Sequence, residues 1–143
     1  MISEKKDLAS RSGIMIAEAA LKHANKNNWD IAVAVCDRSG SMIAFMRTEN
    51  VISAAVDFAI DKAFTAAVIR KATHEFGERM ASSMSLSLGV GTRPRLITWT
   101  GGMPIYLDNV CVGGIGVSGA LDHQDLECAA TALRAVGLQS SPN

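Results

Sequence analysis

Apolar and polar residues along the chain follow two different periods, and each period predicts one kind of element. Apolar residues at helical spacing predict a first helix over residues 3–28 and a second over residues 53–71. A third, shorter helix is expected to start at Thr73. Asp122 is predicted to cap a last helix, with Asp125 at its third position as a carboxylate version of the capping box.

Shorter apolar runs have the length and the flanking turn residues of β-strands. The predicted strands cover residues 31–37, 41–47, 96–100, 102–107 and 110–119. Tight-turn residues join neighbouring runs, so the sheet of about five strands should be mainly antiparallel. Helices must cover the apolar faces of such a sheet. We therefore predict a single α+β domain over residues 1–143.

A Ser/Gly-rich stretch over residues 82–95 interrupts this pattern and is predicted to be an irregular loop. Long loops inside compact domains often act as lids or binding loops. A simple solvated connection explains the composition equally well, so both interpretations stay open.

The charge balance excludes some classes of partner. Lys and Arg together number 14, Asp and Glu also number 14, and aromatic residues make up 5% of the chain. Nucleic-acid-binding proteins need basic surfaces or aromatic stacking platforms, and this composition offers neither. No apolar run has the length of a membrane helix or a signal peptide. We expect a cytoplasmic protein that binds neither nucleic acid nor membranes.

The cysteines and histidines give no metal-binding pattern. Cys36, Cys111 and Cys128 are odd in number and widely spaced, which favours reduced, half-buried thiols. No histidine has metal-ligand spacing to another histidine or to a cysteine. We therefore predict no structural metal site.

The residues Gly114-Ile-Gly116-Val-Ser-Gly119 match the G-x-G-x-x-G spacing of dinucleotide-binding loops. Such a loop needs a second parallel strand after its helix, with an acidic residue at the end of that strand. Only one helix and a short polar tail follow here. The glycines are therefore predicted to serve close packing, without a dinucleotide cofactor.

Strand alternation shows what the glycines could pack against. Val112, Gly114, Gly116 and Ser118 should share one face of the last strand, which is nearly free of side chains. Glycine inside a strand often marks close approach of another backbone or a ligand. The second predicted helix carries a matching stripe of small residues, namely Ala55, Ala59, Ala63 and Ala67.

Lys62 disturbs this apolar seam, because its helical position points toward the alanine stripe. A buried ammonium is costly without a partner. Asp37, the hydroxyl of Ser118 or a bound anion are the candidate partners, and Thr65 adds a hydroxyl nearby. The alternative is a Lys62 side chain that extends to solvent.

Four segments together resemble the GlcG/HbpS-like family. They are "AVCDRSGSMIAFMR" (34–47), "DKAFTA" (61–66), "GGMPI" (101–105) and "VGGIGVSGA…QD" (112–125). The resemblance implies a profilin-like α+β fold and homo-oligomers. It also implies binding of haem, or sometimes of corrinoids, in some members. The segment "TENV" (48–51) and the loop over residues 82–95 depart from the family pattern.

A haem ligand is not fixed by the matching motifs. Among the histidines, His23 is the first choice for the axial ligand, because the long first helix could present it at a subunit surface. His74 and His123 are expected to be surface residues. The cations considered for the haem propionates are Arg47, Lys62 and Arg93.

The prediction is thus a cytoplasmic, homo-oligomeric accessory protein that binds a small anionic ligand. Haem or a related tetrapyrrole is the leading ligand, with a role in glycolate, glycerol or diol utilisation implied by the resemblance. One alternative is an enzyme acting on a small carboxylate, carbonyl or imine at a pocket of Lys62, Asp37 and Arg47. Another is a structural oligomer without a ligand. The predicted ligand-binding residues are Asp37, Arg47, Lys62, Thr65, Gly102, Pro104, Gly114, Gly116 and Ser118.

Overall fold

Five helices and four strands make up the chain in the computed structural model, which describes residues 1–143. The helices are α1 (Ser10–Lys26), α2 (Ala54–Ile69), α3 (Thr73–Met80), α4 (Met84–Val90) and α5 (Asp122–Ala135). The strands are β1 (Ala32–Asp37), β2 (Met42–Arg47), β3 (Gly102–Leu107) and β4 (Val110–Ser118). No helix combines the length and the apolar character needed to cross a bilayer.

The strands form one sheet in the order β2-β1-β4-β3, and every neighbouring pair is antiparallel. The two central strands are buried nearly throughout, because helices cover both faces of the sheet. Branched and larger apolar side chains pack under α1 and α5, whereas the face toward α2 is built mostly from alanines. The predicted α+β class and antiparallel sheet are confirmed.

The sheet has four strands rather than about five, because residues 96–100 do not join it. The Ile97 N–H donates to the Thr65 Oγ1 (3.1 Å), and the Thr65 hydroxyl donates to the Arg95 carbonyl (3.2 Å). Gly101, at φ +126°, then turns the chain into β3. A threonine on α2 thus supplies the hydrogen bonds that a strand partner would have given.

The predicted loop over residues 82–95 contains helix α4. Its first turn is capped by Ser83, whose Oγ accepts the Leu86 N–H at 3.2 Å. The expectation of a fully irregular segment is therefore wrong. The local reason is this serine cap, which outweighs the low helix propensity of the Ser/Gly-rich sequence.

Two predicted helix starts are also displaced. The first helix begins at Ser10 instead of residue 3, and the Leu8 N–H bonds the Val112 carbonyl instead of a helical partner. The N-cap of the last helix is Leu121 instead of Asp122, one position earlier than predicted. The Gln124 side chain, three residues later, accepts the Leu121 N–H at 3.1 Å. Asp125 consequently does not cap as predicted but turns inward.

The glycine–alanine seam between β4 and α2 is present as predicted. A Cβ on Gly116 would meet the Ala59 carbonyl and the Ala63 nitrogen, and a Cβ on Gly114 would meet Ala63 and Ala67. The four stripe alanines are all buried. The seam therefore brings a helix backbone against a strand backbone, which side chains larger than glycine would prevent.

Val112 does not share the glycine face, contrary to the strict alternation expected for β4. The register between β3 and β4 shifts from Ile105 opposite Gly113 to Tyr106 opposite Cys111, which leaves Val112 as an extra residue. A bulge of this kind reverses the alternation on one side of it. Val112 therefore packs in the core under α1 and α5.

Candidate functional site

Lys62 lies inside the seam, with 2% of its surface exposed. Its Nζ donates to the Val117 carbonyl at 2.9 Å and lies 3.5 Å from the Asp125 Oδ2. The small residues of the seam make this position accessible to a long side chain, since the aliphatic stem fits between α2 and β4. The prediction that the amine points into the seam is confirmed.

Asp125 is the partner that the lysine finds, and it is as deeply buried as Lys62. Its Oδ1 accepts the Ala120 N–H at 3.0 Å. Burial raises the pKa of Asp125 to about 6, against the opposing effects of Lys62 and the Ala120 N–H. Burial likewise lowers the pKa of Lys62, and Asp125 opposes that shift.

The Lys62–Asp125 pair forms the floor of a cavity of about 530 Å³. Its volume falls within the range of about 300–1,000 Å³ found for small-molecule sites. The rings of Phe58 and Trp99 meet edge-to-face, with centroids 4.8 Å apart, and give the cavity an aromatic side. The lining residues are Ile52, Phe58, Lys62, Thr98, Trp99, Thr100, Ser118, Gly119, Ala120, Asp122 and Asp125.

Of the other residues predicted to bind a ligand, only Ser118 lines this cavity. Gly114 and Gly116 are covered by α2, and Pro104 is buried in β3. Gly102 donates its N–H to the Thr73 Oγ1 at 2.9 Å, which ties β3 to the start of α3. None of these residues lines the cavity, although Gly102 and Gly116 lie directly against Lys62.

The predicted grouping of Lys62 with Asp37 and Arg47 is wrong. Ala32 of β1 pairs with Ser118, which lines the cavity, whereas Asp37 lies five positions further along β1. At ~3.3 Å per residue, Asp37 is about 16 Å from this end of the strand. Its Oδ1 accepts the Ser39 and Ser41 N–H groups and so holds the hairpin turn.

Arg47 does not line the cavity either, although it lies on the edge strand β2 only two strands from Ser118. Its guanidinium donates to the carbonyls of Thr48 and Glu49 at 2.9 and 3.2 Å. Thr65 is the remaining predicted residue, and its hydroxyl hydrogen bonds the backbone of Arg95 and Ile97. Local hydrogen bonds thus engage the side chains of Asp37, Arg47 and Thr65, which the sequence pattern groups with Lys62.

Sequence reasoning missed Asp125 and Trp99 as parts of this site. Asp125 was assigned to a helix cap, yet it belongs to the same "VGGIGVSGA…QD" segment that carried the resemblance. Trp99 was assigned to a strand. The available signal was the buried lysine itself, since it requires a carboxylate and Asp125 follows the glycine strand directly.

A second feature lies on the layer formed by α1 and α5. The His23 Nε2 lies 3.0 Å from the Glu127 Oε2, and the imidazole ring meets the edge of Trp29 with centroids 5.8 Å apart. The His23 side chain is 22% exposed. Neither of the other two histidines hydrogen bonds a carboxylate; Nδ1 of His74 is buried without a partner.

Comparison with known proteins now adds to this geometry. A family model described as "Haem degrading protein HbpS-like" matches residues 12–134. The chain belongs to this family. Membership confirms the resemblance drawn from the four sequence segments, and the matched region includes Lys62, Asp125, His23 and Glu127.

Individual relatives and solved structures agree with this assignment. The protein GlcG of Escherichia coli is 31% identical over 111 residues, which cover 78% of this chain and 81% of GlcG. The crystal structure of HbpS is 28% identical, covers 95% of this chain and 94% of its own, and superposes with a TM-score of 0.86. A crystal structure of a PduOC–haem complex, 24% identical, shares the fold with a TM-score of 0.86 over 94% of this chain and 99% of its own.

Proposed function

We propose that this chain is a cytoplasmic, homo-oligomeric accessory protein that binds haem or a related tetrapyrrole, such as a corrinoid. The observation that carries the proposal is the HbpS-like family match over residues 12–134. The haem complex of PduOC, which has the same fold, supports it. The family resemblance drawn from the sequence implies an auxiliary role in glycolate, glycerol or diol utilisation.

His23 is the residue we propose as the axial ligand. Metal-ligating histidines commonly contact a carboxylate through the second ring nitrogen, which fixes the ring orientation and raises its basicity. In this structure Glu127 lies 3.0 Å from the His23 Nε2. A histidine ligates haem iron through Nε2, because the Cβ next to Nδ1 would clash with the porphyrin, so Glu127 would have to release this nitrogen when haem binds. Lys26, three residues further along α1, lies at a neighbouring position on the helix and supplies a cation for a propionate.

The cavity above Lys62 suits haem less well than the surface around His23. Two carboxylates, Asp122 and Asp125, line it together with the single ammonium of Lys62. Haem carries two anionic propionates, which such a lining would repel. This charge distribution is the reason to place haem on the layer formed by α1 and α5.

A homo-oligomer would cover a haem at this exposed position. Met15, about two turns before His23 on α1 and about 80° from it around the helix axis, is 48% exposed, so this side of α1 presents an apolar side chain to solvent. Exposed apolar residues on one helix are suited to contact with a second copy. The subunit interface would then exclude water from one side of the porphyrin.

Titration with haemin, followed by absorption spectroscopy, tests the proposal. We expect a sharp Soret band with the unmodified protein and its loss in the variant His23→Ala. The matched control is His123→Ala, which removes a histidine from the exposed first turn of α5 and should keep the band. The absence of a Soret band in the unmodified protein contradicts haem binding.

A separate outcome would keep haem binding but move its site. An apolar groove of about 590 Å³ between α3 and α4 is lined by Met80, Leu86 and Arg93 among others. A thioether can ligate haem iron, and Arg93 is one of the cations predicted for the propionates. If Met80→Ala removes the band and His23→Ala does not, the assignment of His23 is wrong.

A further inference from the structure

The floor of the Lys62 cavity carries hydrogen-bonding groups that the protein uses only in part. An ammonium has three N–H donors, and Lys62 directs one to Val117 at 2.9 Å and one toward Asp125. The distance to the Asp125 Oδ2 is 3.5 Å, longer than the 2.7–2.9 Å of a typical charge-assisted bond. A buried donor and a buried acceptor therefore lie side by side with capacity left.

One side of the same cavity is apolar, while Thr98, Thr100 and Ser118 lie elsewhere along its lining. Phe58 and Trp99 form one wall through their edge-to-face contact, and Ile52 adds an aliphatic side chain. Ile52 and Trp99 are 64% and 53% exposed, although both are large apolar residues. Exposed apolar side chains around a polar floor are typical of sites that receive a ligand with one polar end and one flat apolar end.

Charge selects among such ligands. Lys62 contributes one positive charge, whereas Asp125 and Asp122 contribute two carboxylates. An anion would be repelled by the carboxylates, and a cation would lie against the Lys62 ammonium. A neutral group with a donor beside an acceptor, such as a primary amide, can satisfy Asp125 and Lys62 at the same time.

We propose that the Lys62–Asp125 cavity is a binding site for a small, planar, uncharged molecule whose polar end places a hydrogen-bond donor beside an acceptor. The donor meets the Asp125 Oδ2 and the acceptor meets the Lys62 Nζ. The ring of the ligand lies against Phe58 and Trp99. The site is separate from His23 and Glu127, so the proposal does not depend on haem binding.

Three probes of equal shape test the charge preference, namely benzamide, benzoate and benzamidinium. Trp99 is the reporter, and the variant Trp29→Phe removes the other tryptophan from the fluorescence signal. We expect benzamide to change the Trp99 fluorescence saturably. Benzoate and benzamidinium should bind about tenfold more weakly or worse, because each leaves one floor group without a partner.

The variant Asp125→Asn gives a second readout that a purely structural role would not produce. It removes one negative charge from the floor and leaves the Lys62 ammonium without its counter-ion. Benzamide should then bind about tenfold more weakly, and benzoate should bind more tightly than to the unmodified floor. The matched control Asp57→Asn makes the same change on an exposed part of α2 and should alter neither affinity.

If Asp125→Asn does not fold, the proposal is tested on the unmodified protein by recording its backbone amide chemical shifts with and without benzamide. Benzamide should shift the backbone signals of Gly119 and Ala120, which line the cavity. The proposal is overturned if no probe perturbs these signals or Trp99. It is also overturned if benzoate binds the unmodified floor as tightly as benzamide, which would make the cavity an anion site.

Discussion

Lys62 and Asp125 show how two residues of unfavourable type become stable inside the protein. Each has 2% of its surface exposed, and each would be costly alone. The Val117 carbonyl and the Ala120 N–H complete the hydrogen bonding that the pair itself provides. Removal of one partner from such a pair typically costs about 3–5 kcal/mol, because the other charge stays buried.

The pKa of Asp125 makes stability depend on pH in a defined direction. Because burial raises this pKa from 3.8 to about 6, the folded chain keeps a proton that the unfolded chain has already lost. Stability therefore falls as the pH rises through this window. Relative to Asp125→Asn, the free energy of unfolding of the unmodified protein should decrease by about 2 kcal/mol from about pH 4 to about pH 7.

Urea unfolding at a series of pH values measures this difference. The control Asp57→Asn carries the same substitution on an exposed helix face and should run parallel to the unmodified protein. A difference between the unmodified protein and Asp125→Asn that stays flat or grows with pH would contradict the raised pKa.

Helix α2 and strand β4 pack with their backbones in direct contact. The Ala59 carbonyl lies where a side chain on Gly116 would begin, so the two backbones approach without intervening side chains. This approach puts Lys62 within reach of Val117 at the end of β4. The glycines are thus required by the element packing that creates the cavity.

Gly116→Ala should destabilise the protein by about 2–3 kcal/mol, because its methyl group overlaps backbone atoms that cannot move independently. Gly89→Ala is the matched control, since a Cβ at Gly89 meets nothing within 4 Å and Gly89 lies inside α4. It should be neutral or stabilising by up to about 1 kcal/mol. Thermal unfolding followed by circular dichroism compares the two. Equal stability of both variants would refute the close contact at Gly116.

In the molecule as a whole, the interior is well packed, whereas the surface exposes several large apolar side chains. The sheet is covered on both faces, yet large apolar side chains remain exposed on separate helices, among them Met15 on α1 and Leu88 on α4. Association between copies would bury such residues. Because the proposed haem ligand His23 lies on α1, the oligomer proposed from the family resemblance is a prediction about α1 in particular.

Sedimentation velocity should give a mass that is a multiple of the single chain. Met15→Glu should shift the protein toward the monomer, because a carboxylate would be buried at the interface. Leu88→Glu, on the other exposed helix, is the control and should leave the assembly intact. A monomeric unmodified protein, or dissociation by Leu88→Glu alone, would contradict the placement of the interface on α1.

The sequence by itself determined the α+β class, the antiparallel pairing and the glycine–alanine seam. These depend on local periodicity and on residue size, which neighbouring positions reveal directly. It also placed Lys62 in the seam, since a helical position follows from spacing alone. The family followed from four motifs in the correct order.

The tertiary structure alone decided which residues meet at Lys62. In the sequence pattern, Asp37 and Asp125 are both plausible carboxylate partners for Lys62. In the structure, Asp37 lies at the far end of β1, about 16 Å along the strand from Ala32, which pairs with Ser118. The turn of α5 brings Asp125 to 3.5 Å from Lys62. Likewise, residues 96–100 do not join the sheet, and the Ile97 N–H donates to the Thr65 hydroxyl instead of to a neighbouring strand. Such choices depend on distances between elements far apart in the chain, and local patterns carry no information about those distances.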